Sequence, residues 1–242
     1  MIYCLSLLLG SIVGSFLNVI IYRIPRDISI VSPRSFCPHC KTRIPFYRNI
    51  PIISYLIQMG KCVECSNRIS LRYPLVEISS SFSLMIIWYV FPSLEGILIY
   101  WMFSHLLVLS IIDNEWLQIP LPLIISMTMG LIIYYIINRS DYMFPLLGLI
   151  TGLGFILFVY SLTWLIYRKN TLGSGDFQLI AILGAWVGQN NIFLVLFLAS
   201  FFALITFIII SYLKGYNRSR QLPFVPHLSL ASIIIYLINT VD

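Results

Sequence analysis

Residues 192–213 read IFLVLFLASFFALITFIIISYL, a stretch of 22 residues without a single charge. A helix of that length rises about 33 Å, which matches the ~30 Å hydrocarbon core of a bilayer. Water would not tolerate such a segment uncovered, so this run decides the fold class. Similar runs lie at 2–22, 75–92, 96–112, 119–137, 143–167, 177–189 and 223–241. Together they predict eight membrane helices. The run at 177–189 is short and carries Gly184 and Gly188, so a tilted or partial span is expected there. None of the runs alternates apolar and polar residues as barrel strands do. Of 242 residues, 59% are hydrophobic and 10% charged, against about a quarter charged in ordinary soluble domains. The mean hydropathy is +0.92. The chain therefore reads as an all-α, polytopic membrane bundle of about eight transmembrane helices with one small polar loop domain. Three segments follow: 1–22 as a first, uncleaved transmembrane helix, 23–74 as the loop domain, and 75–242 as the membrane core.

The net charge is +6, which raises the question of nucleic acid. The distribution argues for topology instead. Nine Lys/Arg residues fall between the first two long runs: Arg23, Arg26, Arg34, Lys41, Arg43, Arg48, Lys61, Arg68 and Arg72. Arg168 and Lys169 follow the fifth run, and Lys214, Arg218 and Arg220 the seventh. With eight alternating spans, all of these share one face, and Arg139 alone lies on the other. The positive-inside rule makes the rich face cytoplasmic. Anionic lipid headgroups are the expected neighbours of these charges, and nucleic acid is not an expected partner.

The loop carries Cys37-Pro38-His39-Cys40 and Cys62-Val63-Glu64-Cys65. Two Cys-x-x-Cys knuckles separated by 21 residues suit four thiolates around a tetrahedral zinc ion. The loop has too little apolar mass for a core of its own, so a metal would supply folding energy. Disulfides and a redox dithiol are the alternatives, the first opposed by a reducing cytoplasm. His39 reads as a bystander, since four sulfurs complete a zinc shell. Cys4 reads as a packed helix residue. Glu77, entering the second long run, reads either as an interfacial carboxylate near Arg72 or as the contact for a cationic group.

Two acids stand where apolar runs meet polar segments: Asp113, followed by Ile119-Pro120, and Asp176 in Gly173-Ser174-Gly175-Asp176. Carboxylates near lipid are costly and mark functional candidates. Each has an ordinary explanation, Asp113 as a solvated turn residue and Asp176 as a helix cap. Their conjunction on one leaflet raises both, because two close carboxyls share a proton and activate water. Gly10 and Gly14, Gly148 and Gly152, and Gly184 and Gly188 have the spacing of close helix packing. His105 reads as an interhelical polar group and His227 as interfacial.

These motifs, in order, resemble the bacterial type IV prepilin peptidases, membrane aspartyl proteases with a Gly-x-Gly-Asp motif. The resemblance rests on Gly14-Ser15-Phe16-Leu17-Asn18-Val19, Tyr22-Arg23-Ile24-Pro25, the cysteine pairs, Pro51 to Tyr55, Arg72 to Glu77, the Asp113 and Asp176 motifs, and Leu222-Pro223-Phe224-Val225-Pro226. It implies Asp113 and Asp176 as the catalytic pair. It also implies prepilin substrates cut after glycine at the cytoplasmic face, S-adenosylmethionine-dependent N-methylation of the new terminus, and structural zinc on Cys37, Cys40, Cys62 and Cys65. The expected location is the bacterial plasma membrane, and pilus, secretion or competence systems are the expected pathways. Departures from the pattern are Gln178 for a frequent Lys, Leu121 after Ile-Pro, and Val225 for the usual Gly. A proton- or ion-coupled transporter using the two acids is the alternative, with an inactive pilin-assembly subunit as a third class.

Overall fold

The computed structural model describes residues 2–138, 142–168, 173–217 and 220–241. Arg139, Lys169 and Arg218, which entered the charge pattern above, lie outside the described residues. All eight apolar runs form helices: α1 (Ile2–Arg23), α3 (Arg72–Val90), α4 (Leu94–Trp116), α5 (Leu121–Asn138), α6 (Met143–Tyr167), α7 (Ser174–Val187), α8 (Asn191–Lys214) and α9 (Val225–Val241). A short α2 (Ile53–Ile57) lies in the polar loop. No strand forms among the described residues, only isolated bridges between Phe36 and Arg43 and between Lys61 and Arg68.

Six of the helices are long and apolar enough to cross a membrane, while α7 and α9 are shorter. The expected eight spans thus become six candidate spans and two short apolar helices. In α7, Gly188 ends the helix at φ +84°, a left-handed conformation that glycine adopts without steric cost.

The chain groups into two compact units, Met1–Ser104 and His105–Asp242. In the first, α1 packs along α3. A Cβ on Gly10 would stand 2.6 Å from the Ser81 Cα, and one on Gly14 would stand 2.7 Å from the Glu77 Cα. The missing side chains are what let these backbones approach, as in small-x-x-x-small membrane contacts. Ser80, fully buried, bonds across the gap to the Gly10 carbonyl at 2.7 Å and contacts the Tyr100 hydroxyl at 2.6 Å. Hydroxyls count here because apolar burial gives little drive between helices already in lipid.

In the second unit the same device joins α6 to α7, with Gly148 and Gly184 backbone to backbone. The Tyr135 hydroxyl of α5 donates to the Ala185 carbonyl of α7 at 2.8 Å. His105 meets the Ser126 hydroxyl at 3.1 Å, bridging α4 and α5 as expected of an interhelical polar group. His227 contacts Thr206 of α8 and the Pro223 carbonyl. Half of the α4 window is buried, against 17% for α6. One expectation fails: Cys4 is exposed rather than packed, on a face of α1 that turns Leu5, Leu8 and Ile12 outward as well.

Candidate active site and metal centre

Asp113 sits in the last turn of α4 and is 7% exposed. Its Oδ2 accepts the Val225 N–H at 2.9 Å, and the Phe224 N–H also reaches it. Val225 is the first residue of α9, so the carboxylate occupies a helix N-terminus. Orphan N–H groups and the positive end of the helix dipole stabilise an anion there. A hydrogen bond to a charged group contributes about 1.5–3 kcal/mol, which offsets part of the burial cost of this acid.

Asp176 is the third residue of α7. Its Oδ2 accepts the Gly173 N–H at 3.1 Å, and its own N–H donates to the Gly173 carbonyl at 3.1 Å. The helix-cap reading of this acid is therefore correct, and it coexists with the pairing. The two carboxylates lie close enough for their charges to interact. The first turn of α7 packs against the segment that follows Asp113. A Cβ on Gly175 would stand 2.6 Å from the Cβ of Ile119. Gly175 lets the Asp176 helix start pack directly on Ile119.

In the sequence, Leu222 to Pro226 stands out only as a motif shared with the family it resembles. The structure makes it the holder of Asp113, 112 residues away. No local signal could have shown this, because the donors are main-chain groups.

The four cysteines converge. Their sulfurs lie within 4.8 Å of one another, and Cys37 Sγ is 3.9 Å from Cys65 Sγ. Zinc–sulfur bonds of ~2.3 Å around a tetrahedron require sulfurs about 3.8 Å apart. The donor set and its spacing thus fit a structural zinc site.

The two knuckles share one backbone plan. Lys41 N–H bonds to Cys37 O and Cys37 N–H to Thr42 O; Ser66 N–H bonds to Cys62 O and Cys62 N–H to Asn67 O. Lys41 and Ser66, each just after a second cysteine, have φ of 61° and 57°. Residues 36–43 and 61–68 are therefore a structural repeat that composition hid. The thiols are not equivalent. Burial pushes Cys37 up to about 11. The Thr42 hydroxyl and N–H draw Cys40 down to about 6. The Cys65 and Glu64 N–H groups lower Cys62. Arg48 bridges to Glu64 at 3.1 Å, joining the two halves of the loop; exposed pairs of this kind contribute at most about 1 kcal/mol.

These features define a multi-pass membrane protein with paired helix-terminal aspartates and a tetracysteine loop compatible with structural zinc. The N-terminal part, residues 8–91, matches the Bacterial Peptidase A24 N-terminal domain, and residues 100–208 match the Type IV leader peptidase family. The chain is 32% identical to the prepilin leader peptidase/N-methyltransferase of Neisseria gonorrhoeae, over 97% of this chain and 90% of that one. It is 32% identical to the protein of the same description from Pseudomonas putida, over 96% and 89%. It is 35% identical to the type 4 prepilin-like proteins leader peptide-processing enzyme of Escherichia coli O78:H11, over 94% and 91%. No solved structure matches. The chain belongs to the type IV leader peptidase family, and with its relatives it stands as a multi-pass inner-membrane protein.

Proposed function

We propose that this chain is an intramembrane aspartyl endopeptidase that removes the leader of type IV prepilins or pilin-like precursors, after glycine at the cytoplasmic face, and then N-methylates the new amino terminus. Asp113 and Asp176 are the catalytic pair. The observation that supports the reading is their proximity: one acid accepts the first N–H of α9, the other the N–H just before α7, and the charge of Asp176 acts on Asp113. Close carboxyls share one proton. The ionised member takes a proton from water as it attacks the scissile carbonyl. The protonated member gives its proton to the carbonyl oxygen. Collapse of the tetrahedral intermediate breaks the C–N bond, and the pair returns a proton to the leaving amine.

Backbone N–H donors suit this role because they hold the carboxylates without supplying a competing cation. No Lys or Arg lies within two residues of either acid. Methylation requires S-adenosylmethionine, which when bound supplies an electrophilic methyl group to the freed amine. Cys37, Cys40, Cys62 and Cys65 would hold zinc, whose role is to fold the loop. The clustered Lys and Arg residues support a cytoplasmic loop under the positive-inside rule.

The test is cleavage of a purified prepilin by the reconstituted chain with S-adenosylmethionine supplied, followed by mass spectrometry of the mature product. Loss of the leader with a gain of one methyl at the new terminus is expected. An intact precursor would reject the peptidase reading, and a cleaved but unmethylated product would reject the second activity alone.

A further inference from the structure

The segment that holds Asp113 is itself held. The Val225 N–H donates to the Asp113 carboxylate at 2.9 Å, and the Phe224 N–H reaches it too. Each of these N–H groups shares a peptide plane with the carbonyl of the residue before it. The Phe224 carbonyl, on the plane of the Val225 N–H, accepts from the His227 and Leu228 N–H groups, both at 3.1 Å. The Pro223 carbonyl, on the plane of the Phe224 N–H, takes a side-chain donor: the Nδ1 of His227 lies 3.0 Å from it.

A carbonyl oxygen only accepts, so the Nδ1 of His227 carries a proton. In a planar trans peptide the C=O and N–H point opposite ways along one plane. Anchoring the Pro223 oxygen therefore fixes the direction of the Phe224 N–H. The same bond polarises the peptide and strengthens its N–H as a donor. The other ring nitrogen, Nε2, lies 2.9 Å from the Thr206 hydroxyl of α8, which also bonds to the Phe202 carbonyl of its own helix at 2.9 Å. Thr206 thus sets the orientation of the ring. A separate fastening joins α9 to the helix of Asp113: Ser110, three residues before the acid, donates to the Ser229 hydroxyl at 2.9 Å. The seat of α9 beside α4 does not hang on His227, but the tilt of the Pro223–Phe224 peptide does.

We propose that His227 is a positioning residue for the peptidase reaction: its ring holds the Pro223–Phe224 peptide so that the Phe224 N–H stays aimed at the Asp113 carboxylate. The inference rests on the reading of Asp113 as a member of the catalytic pair, and it adds a side chain that acts on that acid through a single main-chain peptide. The competing role is a plain link between α8 and α9. In that case the Thr206 hydroxyl would matter as much as the ring, whereas a positioning ring needs above all its bond to the Pro223 carbonyl.

The test is steady-state cleavage of a prepilin by the reconstituted full chain, with kcat and KM read separately and the melting temperature checked for each variant. His227→Leu removes the donor and should lower kcat about tenfold while KM stays within about twofold of wild type. His227→Asn, whose amide nitrogen stands where Nδ1 does and donates to the same carbonyl, should bring kcat back to within about threefold of wild type. Thr206→Val should cost less than His227→Leu. Should His227→Leu melt early, His227→Gln takes its place: its longer side chain puts the amide where Nε2 was, so it keeps a polar group but loses the bond to Pro223, and kcat should again fall about tenfold. A kcat unchanged in His227→Leu and His227→Gln, a loss in His227→Asn as large as theirs, a rise in KM at constant kcat, or a loss in Thr206→Val equal to that of His227→Leu each overturns the inference while leaving the peptidase standing. A wild-type chain that leaves the precursor intact overturns the peptidase reading, and the role of His227 falls with it.

Discussion

Both compact units place carboxylates at the ends of membrane helices, but they set them in opposite company. In the second unit, Asp113 lies within reach of the charge of Asp176, and the two are held by backbone N–H groups from the starts of α9 and α7. In the first, Glu77 accepts a loop N–H and shares its cavity with arginines and tyrosines. The difference teaches how one functional group is set to two tasks. A like-charged neighbour makes an acid hold and release protons. Glu77 instead ties the polar loop to α3, in a cavity it shares with Glu64 and six arginines.

The largest effect that could break this comparison comes from the acids. Asp113→Asn and Asp176→Asn each lower prepilin cleavage by more than about a hundredfold, since neither carboxamide can relay protons. Turnover within tenfold of wild type in either variant, followed by gel shift of the precursor, would leave the pair without its assigned role.

Next comes the seat of Asp176. Gly175→Ala pushes a methyl group into Ile119 and tilts the start of α7. Misplacement on the ångström scale costs catalysis by up to ~10²-fold, so a loss of about tenfold or more is expected. Ile119→Gly removes the Cβ that the new methyl group meets, and the double variant recovers part of the rate. Failure of that rescue would mean that Gly175 matters for some reason other than the contact with Ile119.

The metal site sharpens the comparison from the other side. Purified protein should carry about one zinc per chain by elemental analysis, and Cys37→Ser with Cys62→Ser should carry none. The chelated protein, without the metal that folds its loop, should be cut within residues 23–74 by protease faster than the zinc-loaded protein, and equal cutting rates would contradict a folding role for the metal.

The smallest effect concerns packing. Gly148→Val drives a side chain into the α7 backbone at Gly184, and overpacking of this kind costs about 1–3 kcal/mol. The change should appear as a lowered melting temperature in detergent, with the tetracysteine loop still holding its zinc.

Much of this was legible in the sequence because membrane helices announce themselves over 20 residues at a time. All eight apolar runs became helices, and the short run at 177–189 with its glycines became the short α7. The cysteine spacing was enough to foresee the cluster. What escaped depends on main-chain groups brought together from afar. Val225 N–H reaches Asp113 across 112 positions, and Ile52 N–H reaches Glu77. Side-chain patterns carry no trace of either. The repeat of residues 36–43 in 61–68 lies in φ angles and hydrogen bonds rather than in shared residue types beyond the cysteines and the closing Arg43 and Arg68. Cys4 misled because an apolar helix position reads the same whether it faces protein or lipid.

The account stands most directly on whether Asp113 and Asp176 act as one device. Single-turnover cleavage of a reconstituted prepilin should be measured for both single Asn variants and for the double variant. Residues that work as a unit lose their effect together, so the double variant should be no slower than the slower single one. Losses that multiply in the double variant would mean two independent contributions, and the shared-proton site would have to be abandoned.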